Sequence, residues 1–172
     1  IIAASGGHVL IGVSVYSAII LDDVALDGFS PHDDQLVLFD ATTGDLITAL
    51  GRWGTTDVAA LSAGSFAAVG TDLTGAEHTL VSLAPDLSVR WEVELDQPPL
   101  DLATTPDDHA WVELSDRVDR YDATGALVAS IPIRRQGPIV PLSSGDVLVG
   151  TNAGVARATA PGAWGVGTFR KA

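Results

Sequence analysis

Leu36-Val37-Leu38-Phe39-Asp40-Ala41-Thr42-Thr43-Gly44-Asp45-Leu46-Ile47 is echoed further along the chain by Val118-Asp119-Arg120-Tyr121-Asp122-Ala123-Thr124-Gly125-Ala126-Leu127-Val128. In both, an apolar strand ends at an Asp, a Thr-Gly turn follows, and a second strand leaves. These turn residues reverse a chain because they bond back to the backbone or tolerate positive φ. Asp40 and Asp122 stand roughly two periods of forty residues apart. A weaker copy lies midway, Val81-Ser82-Leu83-Ala84-Pro85-Asp86-Leu87-Ser88-Val89-Arg90-Trp91. A degraded fourth copy is Val155-Ala156-Arg157-Ala158-Thr159-Ala160-Pro161-Gly162-Ala163-Trp164.

A second marker precedes each turn in the same order. Val9-Leu10-Ile11-Gly12-Val13, Ala67-Ala68-Val69-Gly70-Thr71, Trp111-Val112-Glu113-Leu114 and Val147-Leu148-Val149-Gly150-Thr151 read as short buried strands. Before each comes a small polar turn, and before that another apolar run: Ile1–Ala4, Val58–Leu61, Leu100–Ala103 and Ile139–Leu142. Each unit therefore holds four strands. A period of about forty residues built from strands without helices is the pattern of a propeller blade. The fold class expected is all-β: a β-propeller of four-stranded antiparallel blades at about 1–52, 53–97, 98–135 and 136–172, in a single domain over 1–172. Four blades are visible, forming either a closed four-bladed ring or part of a larger seven- or eight-bladed one. An unclosed part leaves raw sheet faces that need more blades or a partner. The chain opens inside a strand and carries no Met, so the expectation is a processed piece or one stretch of a longer polypeptide.

No window sustains an i, i+3, i+4, i+7 apolar pattern with caps, and 18 Gly and 9 Pro punctuate the chain too often for long helices. Acidic residues outnumber basic ones 22 to 9, for a formal charge of −13. Nucleic-acid affinity rests on Lys and Arg neutralising phosphates, so nucleic acids and anionic membranes are poor partners, and neither nucleic-acid binding nor membrane insertion is expected. Cysteine is absent, which removes disulfides, thiolate catalysis and zinc-thiolate sites. The longest apolar run, near Val9–Leu21, is too short and too polar to span a bilayer. Asp-rich, Lys-poor usage is that of a high-GC bacterial or halophilic source, and the absence of cysteine is compatible with an extracytoplasmic setting.

The turn phrases at 36–46, 82–91 and 121–127 resemble the blade repeat of the PQQ-like (quinoprotein-like) β-propellers, in which a Leu-Asp or aromatic-x-Asp segment leads into a Thr-Gly turn and a strand bearing Trp. That resemblance covers most of the chain as architecture. It departs from the family's enzymes: only Trp91 sits near the blade-docking Trp position, with Leu50 and Ile131 near it in two other units and Trp164 offset. With no Cys and a lone Asn152, the family's cofactor contacts do not transfer. The resemblance implies the fold and not dehydrogenase activity, and no cofactor is expected.

The first unit carries an insertion between Gly12 and Asp40. Its Tyr16, Asp22, Asp23, Asp27, His32, Asp33 and Asp34 are the candidate binding residues, because insertions in repeat folds map to loops on one face. A hard cation such as calcium is one that clustered carboxylates can hold, but their spacing lacks the alternation of a calcium loop, and the plainer expectation is a solvated acidic loop. His32-Asp33-Asp34 and Asp107-Asp108-His109 place His beside carboxylates as a charged face does, and His8 and His78 read as structural. Asp101, Glu92, Glu94 and Glu113 are strand carboxylates expected to be scattered, and the four Trp are expected to pack blades. The function expected is a non-enzymatic scaffold presenting rim loops to a protein or small ligand, or docking the remaining blades of a larger propeller. The alternative is a fragment of a propeller enzyme, a PQQ-dependent dehydrogenase or a hydrolase.

Overall fold

The computed structural model describes residues 2–14, 19–21, 24–26, 34–51, 54–71, 76–133, 137–151, 154–159 and 163–165. The first sheet runs β1 (Ile2–Ser5), β2 (His8–Ser14), then, past a separate hairpin of β3 (Ile19–Leu21) and β4 (Val24–Leu26), β5 (Asp34–Asp40) and β6 (Leu46–Gly51). The second holds β7 (Gly54–Ala60), β8 (Phe66–Thr71), β9 (His78–Leu83) and β10 (Val89–Leu95). The third holds β11 (Asp101–Thr104), β12 (Ala110–Glu113), β13 (Arg117–Tyr121) and β14 (Leu127–Pro132). The fourth holds β15 (Ile139–Pro141), β16 (Val147–Thr151), β17 (Gly154–Thr159) and β18 (Ala163–Gly165). All four are antiparallel meanders, and one 3-10 turn at Ser62–Gly64 is the only helical element among the described residues. The chain is all-β and has the blade construction of a propeller.

The turn chemistry explains the repeat. Asp40 Oδ1 accepts the N–H groups of Thr42 at 2.7 Å and Thr43 at 3.0 Å, and Asp122 Oδ1 accepts those of Thr124 at 2.8 Å and Ala126 at 3.1 Å. Asp86 Oδ1 caps the weaker copy through Ser88 N–H at 3.0 Å. The Ser88 and Thr124 hydroxyls also donate to Asp86 and Asp122; these hydroxyl bonds first, then the backbone bonds, hold those two carboxyls below the usual range, and the backbone bonds alone do so first at Asp40. Gly125 has φ +85, and a Cβ there would lie 2.9 Å from the Trp91 ring, whose Nε1 donates to Ala123 O at 2.9 Å. Trp91 thus docks its own blade onto the turn of the next.

Side chains alternate across each strand, so an interior blade is apolar on both faces. Phe66, Ala68, Val81, Leu83 and Val58 meet Ala3, Leu10, Leu36 and Leu38 of the first sheet. Ala67, Val69 and Leu80 point the other way, onto Leu102, Ala110, Val112 and Tyr121. Trp111, Val118 and Ile131 then meet Ile139, Val147 and Val149 of the fourth sheet. Three cores join four blades in sequence. Among the described residues no comparable packing joins the fourth sheet to the first.

The two end faces repeat the interior register. In the second sheet, the rows Val58–Ala68–Val81 and Phe66–Leu83 cross the strands and face the preceding blade. Their counterparts in the first sheet are Ile2–Ile11–Val37 and Val9–Phe39. Val37 is buried, but Ile2 is 67% exposed and Val9, Ile11 and Phe39 are half-buried, whereas every residue of the interior rows is buried. At the other end the row Val140–Leu148–Arg157 matches Ala103–Trp111–Arg120 of the third sheet. Val140 is 49% exposed and the nearby Val155 is 41% exposed.

Candidate functional site

Of the predicted contact residues, Tyr16, Asp22, Asp23, Asp27, His32 and Asp33 lie outside the described residues, and Asp34 opens β5. The insertion carries a hairpin, β3–β4, where the repeat pattern predicts only loop. The Asp107-Asp108-His109 turn is committed to packing. Asp108 accepts Ser62 N–H at 2.7 Å and Ser62 Oγ–H at 2.5 Å from the preceding blade, while Asp107 faces His109 Nδ1 at 2.9 Å and Arg120 Nη2 at 3.3 Å. His78 bonds Thr71 Oγ1 at 3.0 Å. No three His, Cys, Asp or Glu side chains converge as a metal ligand set among the described residues.

The ionisable groups that do converge lie where the blades meet. The first strand of each sheet packs on the first strand of the next, β1 on β7, β7 on β11 and β11 on β15, so these strands line the inner side of the arc. Asp57 and Asp101 hold one position on β7 and β11, each just before a core residue. Asp57 accepts Val58 N–H at 2.8 Å within its own strand and Leu102 N–H at 3.2 Å from the next blade. Asp101 repeats this with Leu102 N–H at 3.0 Å and Ile139 N–H at 2.7 Å. Leu102 N–H is shared by both carboxylates, which makes a running clasp from blade to blade. In the fourth blade the position is Pro138, and no carboxylate continues it.

Glu113 pairs with Asp101 across β11 and β12. It is 2% exposed, and its Oε1 has no hydrogen-bond partner. The counterparts of Glu113 in the other sheets are Gly12, Val69 and Gly150, so a carboxylate fills a slot that is otherwise apolar or empty. Burial first, then the neighbouring Asp101 charge, pushes the Glu113 carboxyl up to about 7. Burial, then a hydrogen bond with Asp101, pushes Asp57 up to about 6. Beside them is a cavity of about 380 Å³ lined by Leu100, Asp101, Glu113, Gly137 and Pro138. A second cavity, of about 450 Å³, lies at the opposite end of the inner strands among the turn residues Leu61, Ser62, Thr105, Pro106 and Leu142.

Glu92 and Glu94 are exposed on β10, as scattered strand carboxylates would be. Asp101 and Glu113 are not scattered: the structure brings them together, and adds Asp57. The signal was available in two forms, Asp57-Val58 and Asp101-Leu102 at equivalent positions of equivalent strands, and a lone Glu in a row of small or apolar residues. Trp111 is fully buried between the third and fourth blades with the Arg120 guanidinium 5.5 Å from its ring centroid, a packing role.

No family model matches the sequence, and no curated protein matches it significantly. Solved structures do. Virginiamycin B lyase from Staphylococcus aureus superposes with a TM-score of 0.61 at 12% identity, covering 92% of this chain and 59% of that one. A protein of unknown function from Bacteroides caccae gives 0.59 at 14% identity, covering 93% and 56%. HIRA residues 644–1017 give 0.59 at 10%, covering 95% and 50%. At such identity the likeness is one of fold, and it is to propellers. The chain spans between 50% and 59% of the length of these structures.

Proposed function

We propose that these four blades belong to a larger propeller that acts as a binding and assembly scaffold and not as an enzyme. The observation that carries this is the pair of end faces. Ile2, Val9, Ile11 and Phe39 at one end, and Val140, Leu148 and Val155 at the other, stand in the register that the interior blades use to bury one another. Burying a row of such side chains stabilises by about 1.5–3 kcal/mol each, so blades without neighbours hold a strong drive to acquire them. The repeat's likeness to PQQ-like propellers is our reading of its ancestry. The insertion from Tyr16 to Asp34 is the proposed rim contact for a protein or small ligand, with calcium the cation its aspartates suit.

Light scattering on the 172-residue chain tests the scaffold reading. Its mass is 17.7 kDa. The expected result is a heavier species that Ile11→Glu shifts toward the monomer. A monodisperse 17.7 kDa monomer with one cooperative unfolding transition would mean that the four blades need no neighbours, and would overturn the proposal.

A further inference from the structure

We propose that the cavity beside Glu113 is a binding site for a small organic cation of the guanidinium class. The inference deepens the scaffold reading by naming a ligand for its axis. Three observations carry it. Among the described residues, the side chains around the cavity are two carboxylates and the apolar Leu100 and Pro138, with no cation. The carboxylates differ in readiness: both oxygens of Asp101 already accept backbone N–H groups, whereas Glu113 Oε1 is buried without a partner. Glu113 also breaks the repeat, since Gly12, Val69 and Gly150 hold its place elsewhere. A buried unpaired carboxylate is costly, and departures from a repeat that cost stability are characteristic of functional positions.

The ligand class follows from the lining. A hard divalent ion takes six or more oxygen ligands, or keeps several waters, and two carboxylates with one already saturated do not make such a set. An ammonium is a strongly hydrated point charge with no plane to lay against Leu100 and Pro138. Guanidinium is weakly hydrated, planar, and pairs with a carboxylate through two parallel bonds while its faces rest on apolar groups. The volume, about 380 Å³, lies within the range of small-molecule sites.

Among the described residues, the charged groups facing Glu113 can be named strand by strand. Asp101 lies opposite on β11, and Asp57 on β7 reaches it through Asp101. On β13 its direct neighbour is the apolar Val118, and Arg120, one row further, is occupied by Asp107 and Trp111. From the fourth blade Gly137, Pro138 and Ile139 bring no charge. A cation therefore binds best when Glu113 has lost its proton.

Calorimetric titration of the protein with ethylguanidinium, at pH 6 and pH 8, tests this. Expected is one saturable site whose affinity rises about tenfold between the two pH values, as a carboxyl pushed up to about 7 demands. Glu113→Gln keeps the shape and removes the charge; it should weaken binding at least tenfold at pH 8 and abolish the pH dependence. Leu100→Trp, at a position 48% exposed and therefore tolerant, should block the cavity with the carboxylates intact. Absence of saturable binding by folded protein, or binding that Glu113→Gln leaves unchanged, overturns the proposal. So does calcium chloride competing for the same site, or ethylguanidinium binding that appears only in Arg134→Ala, Arg135→Ala protein, which would assign the cavity to an arginine of this chain. None of these outcomes depends on how many blades the ring has, so the scaffold reading stands or falls separately.

Discussion

Replacing Glu113 by Gln should make the protein more stable, and increasingly so as pH rises. An unfolded Glu releases its proton near the ordinary value of 4.5, while the folded protein holds Glu113 to about 7. Below 4.5 both states are protonated and Glu113 costs nothing. Between 4.5 and 7 the unfolded state gains from ionising and the folded state does not, so stability falls; above about 8 the loss is complete. At 1.36 kcal/mol for each pH unit of separation, the full loss is about 3 kcal/mol. For a domain of this size that corresponds to roughly 6–12 °C in Tm. Glu113→Gln removes the loss and takes away no hydrogen bond at Oε1, which has none. Thermal melts of both proteins from pH 4 to pH 8 should nearly coincide at the acid end and separate toward pH 8, with the variant higher. The comparison is made in 0.5 M salt, because a chain of formal charge −13 also loses stability through repulsion that salt screens, whereas a buried carboxylate is screened much less. A pH-independent difference, or a less stable variant at pH 8, would refute the assignment of Glu113 as a strained buried acid.

Asp101→Ala removes the acceptor for Ile139 N–H and one of two for Leu102 N–H, leaving the Ile139 donor buried between blades without its partner. The expected cost is about 2–4 kcal/mol, with hydrogen exchange accelerated first at Ile139, where no second carboxylate stands by; unchanged protection there would show that the clasp does not hold the blades. Gly125→Ala places a Cβ 2.9 Å from the Trp91 ring at φ +85, so about 1–3 kcal/mol should be lost and the Trp91 fluorescence should shift as the ring leaves the turn. A neutral Gly125→Ala would mean the docking of Trp91 is incidental.

The fold was legible because its punctuation is chemical. Asp40 and Asp122 each cap a turn through their carboxylates and each precede a positive-φ glycine, Gly44 and Gly125, so the same physical need recurs as the same letters. Burial on both faces explains why Phe66–Gly70 reads as a continuous apolar run instead of an alternating one. The β3–β4 hairpin escaped because Ile19–Leu21 and Val24–Leu26 are three residues each and fall outside the repeat, which was the only periodicity strong enough to assign strands.

The carboxylate site was hidden for a different reason. Asp57, Asp101 and Glu113 stand far apart in sequence, and what joins them is the stacking of β7, β11 and β12 across two blades. Spacing along a chain cannot report that, but register within a repeat can. Once the strands are laid row on row, two departures from the apolar pattern emerge, Asp119 among Val37, Val81 and Ala156, and Glu113 among Gly12, Val69 and Gly150. Asp119 is answered within its own strand by Arg117 Nε at 3.0 Å, so its charge is spent on structure. Glu113 has no such answer at Oε1, and its neighbour Asp101 raises the cost of its charge. Two buried acids on one blade, one paired and one not, separate an answered charge from an unanswered one. The unpaired one faces a cavity, and that is why the axis of the propeller, more than its inserted loop, is where binding should be sought.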